Sequence, residues 1–372
     1  MDVADFDFTL PEELIAQEPP SHRGESRLLV LHRDSGAIEH TAFARLEEYL
    51  LVGDLLVVNN TRVFSARLLG HRVPSGGAVE CLLMRQIPNS ESQIPSPNET
   101  PADSAAGNRE LGVEVWEALV HPGQKLKPGA RLMFEGDDLQ LQGEILDRHF
   151  FGRRSVRLWT DDPAGVSAAI DRLGHMPLPP YIRRADGPCD RERYQTVYAR
   201  ERGSIAAPTA GLHFTQELLA RLDARGVMRA DVTLHVGYGT FKPVRVDRVE
   251  DHTVDPEHFE VSRTTADALT AARRGRGRVI AVGTTTVRAL ESLTIDSDGT
   301  IHPAHGETRT FIHPGHVFRV IDAMITNFHL PRSSLLMLVA AFAGRERILA
   351  AYREAIERRY RFYSYGDAML IF

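Results

Sequence analysis

The amino-acid sequence predicts an α/β fold: a barrel-like α/β main domain with an inserted small all-β domain, itself a barrel. Three observations predict it. Several apolar runs of strand length end in polar residues and lead directly into helix signals, the arrangement by which α/β proteins place ligand sites at the carboxyl ends of strands. Between Arg67 and Trp159 the pattern changes to short strands separated by turn signals, with no helix. The chain has 372 residues, 42% hydrophobic and 25% charged, which suffices for a large core and a second domain.

In chain order, Leu10 to Ile15 reads as a short helix start with Pro11 in its first turn. Arg27 to His32 reads as a strand. Asp54 to Asn59 is another, and it ends in the polar turn Asn59-Asn60-Thr61-Arg62, a place for a site or for a domain boundary. The insert then offers Val79 to Arg85, Val115 to Val120, Arg131 to Phe134, Leu139 to Ile145 and Val156 to Trp159 as strands, with Pro128-Gly129 and Gly136-Asp137 as turns. Residues 87–110 are rich in Pro, Ser, Asn and Glu, too polar to pack, and read as a disordered surface loop. Residues 1–62 and 160–372 are thus assigned to the α/β main domain and 63–159 to the insert. Beyond 160, Leu218, Leu219 and Leu222 line a helix stopped by Gly226, and Ile348, Leu349, Tyr352, Ile356 and Tyr360 line a longer one.

The run Tyr194 to Thr215 organises the candidate site. Ser204 to Ala207 suits a strand, Pro208 stops it, and Thr209-Ala210-Gly211 turns the chain before a helix that Thr215 can cap. His213 lies within that turn, either at a rim facing a ligand or bonded to a nearby carbonyl. Val232 to Val236 carries His235 and breaks at Gly237-Tyr238-Gly239-Thr240. Arg278 to Gly283 runs into Thr284-Thr285-Thr286 at a helix start, where amides and hydroxyls can hold an anion or simply cap the helix. Ile321 to Ile325 ends in Thr326-Asn327-Phe328-His329, with Ser333 or Ser334 as the next cap, and Tyr363 to Asp367 joins aromatics to a carboxylate.

Composition narrows the classes. A net charge of −6 argues against an indiscriminate nucleic-acid binder but allows local basic faces. Two distant cysteines, Cys81 and Cys189, make neither a disulfide framework nor a zinc site, and no metal-ligand spacing such as HExxH occurs, so no metal is expected. No signal segment or membrane span is apparent, which makes the cytoplasm the default.

Six strings together closely resemble the S-adenosylmethionine:tRNA ribosyltransferase-isomerases of queuosine biosynthesis: Asp54 to Arg62, Gly174 to Tyr181, Tyr194 to Phe214, Leu234 to Gly237, Thr326 to Pro331, and Tyr363 to Leu370. The resemblance covers nearly the full chain. Two stretches depart from it: Val254-Asp255-Pro256-Glu257 lacks the Met-His usual before the glutamate, and residues 87–110 are longer and more polar. A monomer is the expected state. The resemblance implies that no cofactor is required and that S-adenosylmethionine is bound as co-substrate. Its ribosyl part would move onto 7-aminomethyl-7-deazaguanine at the wobble position of tRNA, giving epoxyqueuosine and releasing adenine and methionine.

That chemistry needs a base for a ribose C5′ proton, a proton for departing adenine, and a neutral amine. His213, His235, His329, Asp367 and Glu257 are the candidates for proton transfer. Tyr198, Tyr238 and Phe214 are candidates to meet the sulfonium or the adenine, and Thr284, Thr285, Thr286 and Asn327 the ribose hydroxyls or methionine carboxylate. Asn59, Asn60, Arg62, Thr209, Gly211, Gly237 and Tyr365 complete the expected binding set. The competing class is a metal-free barrel lyase or aldolase on a small phosphorylated substrate. It would want a Schiff-base lysine, whereas Lys125, Lys127 and Lys242 fall in or beside turns.

Overall fold

A computed structural model describes residues 1–88, 112–136, 138–241 and 244–372. Most of the segment expected to be a disordered loop, from 89 onward, lies outside them. The chain divides into two compact units, Met1–Arg62 with Leu178–Phe372, and Val63–Pro177. The second boundary falls at Pro177, not at the expected 159, because helix Gly165–Leu173 buries Val166, Ala169 and Ile170 and packs on strands of the insert.

The main unit is built on one nine-stranded mixed sheet. Its order is Ala304–Thr308, Glu257–Val261, Met228–Leu234, Leu55–Asn59, Val279–Val282, Ala323–Asn327, Ala368–Ile371, Arg27–Leu31 and Ile38–Ala42. Among the described residues its two end strands do not pair. Four adjacent strands, from Met228–Leu234 to Ala323–Asn327, run parallel. Three of them, Leu55–Asn59, Val279–Val282 and Ala323–Asn327, are nearly continuous apolar runs because both faces are covered, whereas Met228–Leu234 alternates buried Ala230, Val232 and Leu234 with less buried polar residues. Alternate residues go to opposite cores. Leu55, Val57, Val279 and Ala281 pack with Val287, Leu290, Leu338 and Tyr352, whereas Leu56, Val58, Ile280 and Val282 pack with Phe43, Phe214, Leu218 and Leu222.

The insert is a closed six-stranded antiparallel barrel, ordered Arg153–Trp159, Val113–His121, Ala78–Ile87, Arg67–Val73, Arg131–Gly136 and Leu139–Arg148. Arg67–Val73 is a full strand that sequence periodicity did not reveal. Its exposed Leu69 and polar His71 and Arg72 blur the alternation. Leu68, Leu83, Leu141, Ile145, Val156 and Leu158 are fully buried.

Candidate active site

Asn59, Leu234, Val282 and Asn327 end the four parallel strands along one edge of the sheet. Antiparallel pairing brings the starts of Glu257–Val261 and Ala368–Ile371 to that edge, and Arg27–Leu31 starts there too because it runs parallel to the latter. A cleft of about 660 Å³, mouth included, opens at the same place. Val236, Gly283, Thr284, Thr285, Thr326, Asn327, Phe328 and His329 line it from the strand ends. Ala206 to Ala210 line it from the organising run, and Tyr181, Thr240, Ser333, Tyr363 and Ser364 complete the wall.

Gly283 adopts φ +90°, a region open mainly to glycine, and starts helix Thr284–Glu291 without a side-chain cap. The amino end of that helix and the Thr284 and Thr285 side chains meet the cleft, a setting that favours an anion. Thr286 does not take part, because its hydroxyl donates back to the Val282 carbonyl at 2.6 Å. The expected caps are observed elsewhere: the Leu218 amide donates to Thr215 Oγ1 at 3.1 Å, and the Leu336 amide to Ser333 Oγ at 3.2 Å.

Asn327 sits at the centre of the wall. Its Nδ2 donates to the Tyr363 carbonyl at 3.0 Å, which fixes the amide orientation, and to His213 Nε2 at 3.1 Å. His213 must then carry its proton on Nδ1, which faces Ser26 Oγ at 2.8 Å. The outcome is that Asn327 Oδ1 is buried without a hydrogen-bond partner among the described residues. Leaving such an acceptor unmatched costs about 1–3 kcal/mol, so it marks a place for a ligand donor.

His213 is not the rim residue the turn suggested. It is 3% exposed, lies tilted against Phe43 with centroids 5.1 Å apart, and does not line the cleft; burial pulls its imidazole down to about 4. The run here forms a 3-10 turn, Thr209–His213, which rotates the ring inward. His329 does line the cleft, with Nε2 against Thr326 Oγ1 at 2.8 Å, and burial pulls it down to about 3. His235 bonds Thr61 Oγ1 at 2.8 Å and stacks on His258; burial first, then the charge of His258, lower its pKa.

Neither carboxylate reaches the cleft directly. Asp367 accepts the Arg27 amide and guanidinium and the Arg361 amide, so its oxygens are committed to clamping the last strand. Glu257 accepts from the Gly237 amide and Thr240 Oγ1, each at 3.2 Å, and pairs with Arg288 at 2.5 Å; both charged side chains are buried. Arg288 escaped the sequence reading. The only hint was one cation within the apolar run that follows Thr286.

The remaining expected binding residues divide. Thr209 lines the cleft. Asn59 is fully buried and braces the Leu234 amide and carbonyl, Asn60 Oδ1 accepts from Thr233, and Arg62 is exposed. Phe214 belongs to the core against Phe43, and Tyr365 donates to Asp190 behind the wall. Tyr198 is buried beside Gly211, whose lack of a side chain lets the Tyr198 hydroxyl approach. Gly237 and Tyr238 stay at the margin, in the segment Glu257 holds. The aromatic rings that reach the cleft are instead Tyr181, Phe328 and Tyr363; Tyr181 and Tyr363 lie 4.6 Å apart between centroids. Both tyrosines fall inside the strings that carried the resemblance, but in loops without periodicity.

A cleft of mixed lining with one unmatched acceptor, at the carboxyl edge of an α/β sheet, in a chain that also carries a closed β-barrel, defines an α/β enzyme with a grafted all-β unit. Among the described residues no group of three or more His, Cys, Asp or Glu is placed to hold a metal ion. The family model described as queuosine biosynthesis protein matches residues 3–371. The S-adenosylmethionine:tRNA ribosyltransferase-isomerase of Symbiobacterium thermophilum is 50% identical over 373 residues, covering 100% of each chain. That of Nitratidesulfovibrio vulgaris strain DP4 is 53% identical, covering 98% of this chain and 96% of the relative. The crystal structure of S-adenosylmethionine tRNA ribosyltransferase from Thermotoga maritima matches with a TM-score of 0.52 at 38% identity, over 99% of this chain and 100% of that one. The chain belongs to this queuosine biosynthesis family of ribosyltransferase-isomerases. The lyase or aldolase alternative finds no support, and among the described residues no lysine lines the cleft.

Proposed function

We propose that the cleft is where this chain transfers and isomerises the ribosyl moiety of S-adenosylmethionine onto 7-aminomethyl-7-deazaguanine at the wobble position of tRNA, forming epoxyqueuosine and releasing adenine and methionine. The observation that carries the reading is Asn327, a residue of the cleft wall whose buried Oδ1 is unmatched among the described residues while its Nδ2 is held from behind, which leaves one acceptor for a donor such as a ribose hydroxyl or an amine. The open helix start at Gly283 to Thr285 suits the methionine carboxylate. Tyr181, Phe328 and Tyr363 supply π faces for a sulfonium or an adenine, worth ~0.5–2 kcal/mol for the cation.

His329 is the expected proton acceptor, as the one of the three candidate histidines that lines the cleft. Neutral at working pH, it is a weak base whose task is eased by the sulfonium next to the C5′ proton. Cytoplasmic location and a monomeric state complete the reading, the first because the acceptor is a tRNA, the second testable by sedimentation. Among the described residues no helix is long and apolar enough to cross a membrane. The test is incubation with labelled S-adenosylmethionine and tRNA carrying the aminomethyl base. Adenine release that requires both, and falls ~10²–10⁴-fold in His329→Ala, is expected. Release without the tRNA, or no release, overturns it.

A further inference from the structure

We propose that the end of the barrel formed by the turns Gly123–Lys125 and Phe150–Gly152 is a docking surface for unpaired nucleotides of the tRNA, an assignment that rests on tRNA being the acceptor. Phe150 is 86% exposed, the most exposed of the large apolar side chains among the described residues, at the tip of the hairpin joining two barrel strands. A ring left in water at a hairpin tip is a ready stacking platform, and every base offers a π face. The tip is held: the His149 amide donates to the Arg153 carbonyl at 2.9 Å, and His149 Nε2 meets Ser155 Oγ at 2.8 Å.

The charge around the ring fits the same occupant. Beside Phe150 lies a recess lined by Gly123, Gln124, Arg148, His149, Gly152 and Arg154, of about 940 Å³ with its mouth. Arg154 is 2% exposed and spends its guanidinium on three backbone carbonyls, those of Gly123, Leu126 and Arg153. No carboxylate pairs with it among the described residues, so its full positive charge is left to the recess. Exposed Arg148 and Lys125 add to it, and exposed Asp147 subtracts. A phosphate backbone with splayed bases answers both features, an uncompensated cation and a projecting ring; a lipid surface or an apolar protein face answers only the ring.

The experiment measures binding of unmodified tRNA to the full chain by fluorescence anisotropy across a salt series, with S-adenosylmethionine binding by calorimetry as the control on the cleft. Phe150→Ala is expected to raise the tRNA Kd roughly 5- to 100-fold and leave S-adenosylmethionine binding unchanged, while Phe150→Trp retains wild-type affinity. Arg148→Ala should lower the salt slope by about one unit. Unchanged tRNA affinity and slope in both variants, with the wild type binding, overturns this inference alone. A Phe150→Ala chain that binds tRNA normally but self-associates less in sedimentation overturns it in favour of a second copy as occupant. Absence of tRNA binding by the wild type overturns it together with the proposed function.

Discussion

Replacing His213 by alanine separates a positioning role from a chemical one. The substitution removes the contacts to Ser26 and Asn327, about 0.5–1.5 kcal/mol each, and the tilted packing on Phe43, with a cavity in their place. Because the Asn327 amide keeps the Tyr363 carbonyl, the loss is partial, and roughly 2–4 kcal/mol is the expected destabilisation. At about 2–4 °C per kcal/mol for a unit of this size, the melting temperature should fall by roughly 4–16 °C. Turnover should suffer less than the loss of an acid or base would imply. Asn327 then keeps one of its two anchors, and the looser placement of its Oδ1 costs up to about one hydrogen bond, or roughly tenfold in kcat/KM. Melting and adenine release measured on the same variant test this. A chain that melts like the wild type yet turns over 10³-fold more slowly would refute the positioning argument, because it would mean that the ring acts on the reactants.

Stability should fall with acid. Folded His213 and His329 stay neutral down to about 4 and about 3, whereas the unfolded chain takes up those protons near 6.5, so the unfolded state is favoured as pH drops through that window. Roughly 4 kcal/mol should go between pH 7 and pH 5, and His213→Ala should lose only about half as much; equal urea midpoints at both pH values would contradict this. Arg288→Met strands the buried Glu257 carboxylate and should cost about 3–5 kcal/mol, part of which Glu257→Gln in the same chain restores; additive effects in the double-mutant cycle would deny the coupling. Gly211→Ala would set a Cβ 2.2 Å from the Tyr198 hydroxyl and should cost about 1–3 kcal/mol. Tyr198→Phe should relieve the larger part of that clash, leaving the Thr196 methyl 2.7 Å from the new Cβ, and at no penalty of its own, since among the described residues the hydroxyl has no partner; a double variant as unstable as Gly211→Ala alone would count against it.

The centre of the sheet was legible because Leu55–Asn59, Val279–Val282 and Ala323–Asn327 are buried on both faces, which demands nearly unbroken apolar runs. The caps at Thr215 and Ser333 were legible because a cap is a local contract between a side chain and an amide three residues on. Which polar residues face the cleft was legible only in part: Thr209, Thr284, Thr285, Asn327 and His329 line it, but the rest depends on partners far away in sequence. Ser26 stands 187 residues from His213, and Arg27 stands 340 from Asp367. Residue type at a strand's end says that a polar group belongs there, but only the partner decides whether it is consumed by the protein or left for a ligand. His213, Asp367, Tyr365 and Asn59 are consumed, each by a contact no local pattern announces. Asn327 spends its nitrogen on the protein and keeps its oxygen. That asymmetry requires something behind the amide that only accepts, and a neutral histidine nitrogen and a carbonyl supply it. A sequence reader who finds a histidine and an asparagine in separate strand-end motifs should therefore ask which one holds the other before asking which one reacts.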